Sequence, residues 1–323
     1  MTQYAVGIDL GGTSIKAALV ARPEGLVATD SMDTEAHHGP ERVLDNIATL
    51  VKRMMAQAPE PVLGVGMGSP GIIDWDRTTV SHPPNLPGWT SVHLGDAISA
   101  RLSAPVQVLV ENDANVAGLG CAHYGAGKPF DSFIMVTLGT GVGGAIIYQN
   151  RIFRGATGGA GEIGHMTIDY SGPPDAHDIR GASEAYLGQR FLSGHAAGML
   201  AERPESSLHG IATNDPDSLS PRDLFDAAVD GDKAAAEILA WAGHKLGVLL
   251  GSAVNLLDIR KIVVGGGLSA AGEYILGPAR TTIEEFVTHG LRPGLEIIQE
   301  PRGNEVGVLG AAHLVFQEAE RRP

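Results

Sequence analysis

The chain predicts an α/β fold of two related domains, and three observations carry that prediction. An apolar strand runs into a glycine-rich turn and out into a second apolar strand twice, once over 5–20 and again over 134–148. Each hairpin is followed by segments that alternate between helical and strand-like hydrophobic spacing. A buried strand, Val106-Gln107-Val108-Leu109-Val110, ends between the two hairpins in the polar cluster Glu111-Asn112-Asp113-Ala114-Asn115. In open α/β sheets such strand ends are where ligands bind.

The elements follow in order. Residues 4–34 read as three strands with tight turns. Val43, Ile47, Leu50, Val51 and Met54 recur at helical spacing and predict a helix over about 40–58. Residues 61–67 form the next strand, ending in the sharp turn Gly68-Ser69-Pro70-Gly71, and a Pro- and Gly-rich loop carries His82 to Trp89. Residues 94–103 read as helical, the strand at 106–110 follows, and a helix runs from Ala114 to about Tyr124. After the second hairpin, 203–220 reads as a loop. Ser220-Pro221-Arg222-Asp223 starts a helix, with Ser as N-cap and Pro at the first helical position. A long helix covers about 233–257, Lys261 to Val264 is a buried strand entering Gly265-Gly266-Gly267, and a last helix spans about 307–320.

Composition narrows the function class. The 323 residues carry 43% hydrophobic and 19% charged side chains with a formal net charge of −14, which is globular and acidic. That balance argues against nonspecific nucleic-acid binding and against adhesion to an anionic membrane. The longest apolar stretch, near Leu246 to Leu257, is too short and interrupted to span a bilayer. Cys121 is the only cysteine, so an intrachain disulfide or cysteine-based metal site is excluded. The first strand begins within a few residues of Met1, so neither a signal peptide nor a preceding DNA-binding domain is expected. A cytoplasmic location is expected.

Chemistry concentrates in five places. In Asp9-Leu10-Gly11-Gly12-Thr13-Ser14-Ile15-Lys16, a glycine turn lets backbone N–H groups approach phosphate oxygens. Asp9 could orient a hydrated Mg²⁺ and Thr13 could donate to phosphate; an ordinary hairpin is the plainer reading. Lys16, beyond the turn, has a solvated side chain as its ordinary alternative. Gly139-Thr140-Gly141-Val142-Gly143-Gly144 has the same two readings, with more glycine than a hairpin requires. Neither turn ends in the Gly-Lys-Ser/Thr of a P-loop. Asp113 is either a helix N-cap or a general base that takes a proton from a sugar hydroxyl, with Asn112 bonding a neighbouring hydroxyl. Gly265-Gly266-Gly267 could lie flat against adenine or ribose, or be a plain strand-to-helix turn. Glu162 and His165 stand three residues apart in a Gly-rich loop, and carboxylates pair strongly with vicinal sugar hydroxyls.

Assembled, these residues resemble the ROK family, the sugar kinases and related repressors of the actin-like ATPase superfamily. The resemblance covers nearly the whole chain. It rests on Asp9–Lys16, Gly68–Gly71, Asn85 before Leu86-Pro87-Gly88-Trp89, Glu111–Asn115, Gly139–Gly144, Gly161-Glu162-Ile163-Gly164-His165 and Gly265–Gly267. It implies two actin-like (ribonuclease H-like) domains with a sugar cleft between them, one formed by 1–113 plus about 305–323 and the other by 114–304. It implies an ATP-dependent hexose kinase with Mg²⁺, most simply of glucokinase type, with a homodimer as the family's assembly. Asp113 would be the base. Gly71, Asn85, Asn112, Glu162, His165 and Glu184 would hold the sugar. Asp9, Gly11, Gly12, Thr13, Lys16, Gly139, Thr140, Gly141 and Gly265 to Gly267 would hold MgATP.

One stretch departs from the pattern. Many members follow the Glu-Ile-Gly-His loop with a cysteine run that binds zinc together with the loop His. Here Asp175, His177 and Ala182 stand at the three cysteine positions, while Gly181 and Glu184 match. A thiolate zinc site is excluded, and a structural zinc is not expected. A sharper alternative is a metal held by His165, Asp175 and His177, which would leave one position open. The acceptor could also be fructose, mannose, allose, N-acetylglucosamine or N-acetylmannosamine, and the donor could be polyphosphate. A non-catalytic sugar-sensing regulator is the rival from another class.

Overall fold

The computed structural model describes residues 2–103, 105–211 and 219–321. Chain order opens with β1 (Gln3–Leu10), β2 (Ser14–Arg22), β3 (Gly25–Asp33) and α1 (Pro40–Gln57). Then come β4 (Val65–Ser69), the short strands β5 (Ile72–Ile73), β6 (Val80–Ser81) and β7 (Ser91–Val92), α2 (Leu94–Ser99), β8 (Val108–Asn112) and α3 (Asp113–Tyr124). The second half holds β9 (Phe133–Leu138), β10 (Val142–Tyr148), β11 (Arg151–Ile152), α4 (Glu184–Leu187), α5 (Gln189–Leu200) and α6 (Pro221–Val229). It ends with α7 (Lys233–Leu257), β12 (Lys261–Gly265), α8 (Glu273–Phe286), β13 (Glu296–Gln299) and α9 (Glu305–Arg321). Of the expected loop at 203–220, Ser207–Gly210 forms a 3₁₀ turn and 212–218 lie outside the described residues. Among the described residues no helix is long and apolar enough to cross a membrane.

Two compact units result: Met1–Asp131 with Ala145–Gly161 and Asn304–Pro323, and Ser132–Gly144 with Glu162–Gly303. The division differs from the expected boundary at 113/114, because α3 packs in the first unit against α9. Glycines explain it. A Cβ on Gly120 of α3 would land on the Val306 carbonyl, and one on Gly310 of α9 on the Val116 carbonyl, so only glycine permits this approach.

The first unit is built on a five-stranded sheet of order β3-β2-β1-β4-β8, antiparallel across β1–β3 and parallel from β1 through β4 to β8. The near-continuous apolar strands feed a core on each face, as expected where helices cover both sides. Ile8, Leu19 and Met67 pack with Ile47, Leu50 and Met54 of α1, while Val20 and Ala5 pack with Leu309, Val315 and Phe316 of α9. The parallel strands bring Asp9, Gly68 and Glu111 abreast, since Asp9 pairs with Gly68 and Gly68 with Glu111.

In the second unit β9, β12 and β13 run parallel, with Gly265 opposite Thr137 at the strand ends. Helix α7 has the predicted bounds. Asp232 caps it by accepting from the backbone N–H of Ala234 and Ala235, and Asp258 ends it in the left-handed region. Gly243, Gly247 and Gly251, one per turn, let α8 close onto α7. Ser220 and Asp223 form a reciprocal capping box ahead of α6, with Pro221 at its first position.

Candidate active site

The first unit gathers one group of predicted residues at the carboxyl ends of β1, β4 and β8. The turn after β1 closes with Gly11 N–H donating to the Ser14 carbonyl at 3.0 Å. Buried Thr34, which sequence reasoning missed, holds it from outside. The Thr34 hydroxyl donates to the Gly11 carbonyl at 2.6 Å, and its N–H donates to the Thr13 carbonyl at 2.8 Å. Neither Gly11 nor Gly12 has a positive φ. Glycine is needed at 12 for room instead, because a Cβ there would come within 2.8 Å of the Asn85 Cβ. Asn85 is exposed and left-handed at φ 64°, presented by the buried anchors Leu86 and Trp89. Thr13 sits exposed at the tip of the turn.

Asp9 lies opposite Lys16 in the β1–β2 register, and Lys16 is half-buried there. Burial pushes the Asp9 carboxyl up to about 6; Lys16 opposes the shift and the charge of Asp113 adds to it. Asp113 is likewise raised by burial, against the pull of the Ala114 N–H that it accepts at 2.9 Å. The charge of Asp113 is thus felt by the Asp9 carboxyl at the end of β1.

The N-cap of α3 is Asn112, not Asp113. The Asn112 Oδ1 accepts from Ala114 N–H at 2.9 Å and Asn115 N–H at 3.2 Å, and its amide donates to the Gly71 carbonyl at 3.3 Å. Asp113 is therefore the first helical residue; its Oδ1 shares the Ala114 N–H with Asn112, and its Oδ2 takes no part in the cap. Gly71, at φ +95°, has no room for a Cβ against Ser81 and Pro83, and its contribution to Asn112 is a backbone carbonyl.

Beneath this cluster Glu111 is fully buried and forms a hub that sequence reasoning did not find. One carboxylate oxygen lies 3.0 Å from Arg77 Nε and 2.8 Å from Arg154 Nε. The other accepts from Asn112 N–H at 3.0 Å and Asn115 Nδ2 at 3.1 Å. Arg154 also donates to the carbonyls of Asp74 at 2.7 Å and Trp75 at 2.9 Å, with its guanidinium 5.1 Å from the Trp75 ring centroid. The hub holds the backbone that aims Asp113.

The second unit gathers the rest in two places. The turn Gly139–Gly141 closes with Gly139 N–H donating to the Gly141 carbonyl at 2.9 Å. Gln189 N–H, at the start of α5, donates to the Gly139 and Thr140 carbonyls at 3.0 and 3.1 Å. Thr140 is exposed at the tip. Gly265–Gly267 lies beside this turn: Gly266, at φ +86°, rests against the Leu138 backbone where a Cβ would not fit. Glu184 supports the same turn, its carboxylate pressed on Gly141 and accepting from Val142 N–H at 2.9 Å. One of its oxygens is thereby committed to the turn rather than to a sugar.

Glu162 is exposed, and His165 Nε2 faces it at 3.9 Å. His165 Nδ1 and Asp175 Oδ2 are 2.8 Å apart. The other Asp175 oxygen accepts from His177 N–H at 2.8 Å and Ile179 N–H at 2.9 Å. Burial pushes the Asp175 carboxyl up, but the bonds from Ile179, His165 and His177 outweigh it and hold it below the usual range. The metal alternative does not fit this geometry: both Asp175 oxygens already have protein donors. Among the described residues no three His, Cys, Asp or Glu side chains are grouped to hold a metal ion.

The ROK family model matches residues 5–318. A glucokinase of Halalkalibacterium halodurans is 32% identical over 326 residues, spanning 98% of this chain and 96% of its own. The solved ROK family glucokinase of Streptomyces griseus, in complex with glucose and AMPPNP, aligns at 31% identity and a TM-score of 0.84, covering 97% of this chain and 99% of that one. A xylose repressor of Bacillus subtilis is 27% identical over 97% of this chain and 77% of its own length. The actin-like two-domain α/β fold expected from the motifs is the fold found.

Proposed function

The chain belongs to the ROK family, and we propose that it transfers the γ-phosphoryl of ATP to the primary hydroxyl of a hexose, glucose before others. That it is an ATP-dependent sugar kinase follows from the glucokinase relatives and from the AMPPNP-bound neighbour. The observation that carries the catalytic assignment is the Asn112–Asp113 arrangement. Asn112 caps α3 and shares the Ala114 N–H with Asp113 Oδ1, which leaves Asp113 Oδ2 outside the cap; burial raises the carboxyl and makes it a stronger base.

Asp113 accepts the proton of the attacking hydroxyl as its oxygen forms a bond to the γ-phosphorus and the bond to the ADP oxygen breaks. Phosphoryl transfer otherwise asks for positioning and charge neutralisation. The amides of the Gly11–Thr13 and Gly139–Gly141 turns supply donors for phosphate oxygens, and Gly265–Gly267 supplies a flat backbone for the nucleoside. Asp9 suits a divalent cation: its ionised form is disfavoured by burial and by Asp113, and a cation would relieve both. Asp9 would hold Mg²⁺ there, and the ion would supply neutralisation of phosphate charge. Lys16 adds positive charge beside it. Asn85, Gly71, Asn112, Glu162 and His165 are assigned to the sugar, with Glu184 acting through the turn it supports. A homodimer in the cytoplasm completes this reading.

An assay coupled to ADP release across glucose, mannose, fructose, allose and the N-acetylhexosamines tests it, with ATP and polyphosphate compared as donors. Glucose-dependent ADP release with the highest kcat/KM in the panel is expected. ADP release that no hexose stimulates would overturn the kinase reading. The xylose-repressor relative supports a second reading, a sugar-responsive regulator; sugar binding without turnover would favour it.

A further inference from the structure

A backbone donor is aimed by the carbonyl behind it. In a planar trans peptide the N–H of one residue points away from the C=O of the residue before it. The Gly11–Gly12 peptide is trans, the cis bond at Arg22–Pro23 being the only one among the described residues. What holds the Gly11 carbonyl therefore sets where the Gly12 N–H points. Thr34 holds it, its hydroxyl donating to the Gly11 carbonyl at 2.6 Å while its N–H donates to the Thr13 carbonyl at 2.8 Å. Gly11 N–H is spent on the Ser14 carbonyl at 3.0 Å. Among the described residues Gly12 N–H meets no acceptor, so it is the donor this turn leaves over.

Thr34 is itself fixed from behind. It is fully buried and follows Asp33, which pairs with Ser14 in the β2–β3 register. The other buried positions of α1 are apolar, but Asn46 is polar and buried. Its side-chain NH₂ donates to the carbonyls of Asp33 at 3.2 Å and Thr34 at 3.4 Å, and to the Glu35 carboxylate at 2.9 Å. Arg42 Nε donates to the same Glu35 oxygen at 2.7 Å. Glu35 is left-handed at φ 55°, a conformation glutamate adopts rarely, and these bonds carry the chain through it.

We propose that Thr34 is a positioning residue for phosphate recognition: its hydroxyl holds the Gly11 carbonyl outward and so aims the Gly12 N–H at the phosphate chain of the nucleotide. An anion is attracted by aligned N–H groups and repelled by carbonyl oxygens, and a peptide free to rotate presents either. The proposal rests on the assignment of the Gly11–Thr13 turn to phosphate.

T34V tests it because valine keeps the shape and removes only the hydroxyl, whereas T34S keeps the hydroxyl and loses the methyl. Both full-length variants and the parent are titrated calorimetrically with AMPPNP and Mg²⁺ and with glucose, assayed for KM and kcat, and melted. In the parent, ¹³C′-glycine with ¹⁵N-glycine labelling reports Gly–Gly peptides alone, and G11A identifies the Gly12 amide. The expected result is a Gly12 amide signal that moves on addition of AMPPNP. For T34V, the Kd for AMPPNP and the KM for ATP rise roughly 10-fold, with glucose affinity within about threefold of the parent. T34S stays within about threefold throughout, although its lost methyl lowers Tm. A T34V chain that binds AMPPNP as the parent does, or a T34S chain impaired as much as T34V, overturns the proposal alone. A Gly12 signal that stays in place while the parent binds AMPPNP removes the turn from phosphate binding and the proposal with it. That last measurement decides the matter even where T34V does not fold.

Discussion

Replacing Glu111 by Gln tests the hub beneath Asp113, the proposed base. The substitution keeps the side-chain volume and removes one buried charge from a cluster of one carboxylate and two guanidinium groups. The Arg77 side chain is 14% exposed and can regain some water, whereas that of Arg154 is 6% exposed and cannot. Breaking a buried ion pair from one side costs about 3–5 kcal/mol, because the remaining charge is left uncompensated. The partial exposure of Arg77 places the expected loss toward the lower end, about 3 kcal/mol. For a unit of this size that lowers Tm by about 6–12 °C. A second consequence is catalytic. Glu111 also accepts from Asn112 N–H and Asn115 Nδ2, the two residues that shape the start of α3. Loosening them is expected to lower kcat by about tenfold, the scale of a misplaced catalytic group, while the KM for ATP holds. Circular dichroism melting and steady-state kinetics on the same preparation read both effects. A Tm within about 2 °C of the parent, with kcat unchanged, would refute the role of Glu111 as the charge-balancing centre of this site.

Two further outcomes follow from shifted groups. The native pKa of Asp9, about 6, lies above its unfolded value of 3.8, so the native state binds the extra proton between them and stability falls as pH rises through that window. D9N removes the penalty: urea titration at pH 7 is expected to show about 1–2 kcal/mol of added stability in the ligand-free chain, together with loss of MgATP-dependent turnover; unchanged or reduced stability would contradict the cause assigned to the shift. His313 has the opposite sign. Burial, with His123 stacked at a 3.6 Å ring separation and Arg22 nearby, holds it near 3, so stability is full above about 6.5 and is lost as pH falls toward 3. H313F keeps a ring in the stack and is expected to move the acid-unfolding midpoint to lower pH, as followed by circular dichroism; an unmoved midpoint would show that other groups set it.

How much of this was legible in the sequence depends on the range of the interactions involved. Elements set by local chemistry were readable: α7 has the bounds its apolar spacing implies, and Ser220-Pro221-Arg222-Asp223 forms the capping box those residue types suggest. The two-residue strands β5, β6 and β7 were not, because pairs of residues in a Pro- and Gly-rich stretch carry no periodicity. Neither were α8, which carries Pro278 in its interior, and the short β13. At the site, the turns and Asp113 were visible from residue type alone. Asn112 and Asp113 are both good caps, and only the backbone geometry decides that Asn112 takes the position. Arg77 lies 34 residues from Glu111, with no local pattern joining them, and the sequence offers no signal for such a pair. Neither Gly11 nor Gly12 has a positive φ, and the packing of Asn85 against position 12, 73 residues away in the chain, is a requirement for glycine that no local pattern shows.

The proposed phosphoryl transfer to a hexose turns on Asp113 as the acceptor of the hydroxyl proton. The direct measurement is kcat for D113N beside its glucose affinity by isothermal titration calorimetry. The result expected is a kcat lowered by at least ~10²-fold with glucose affinity within about threefold of the parent. A kcat close to that of the parent would remove Asp113 from the role and the mechanism with it.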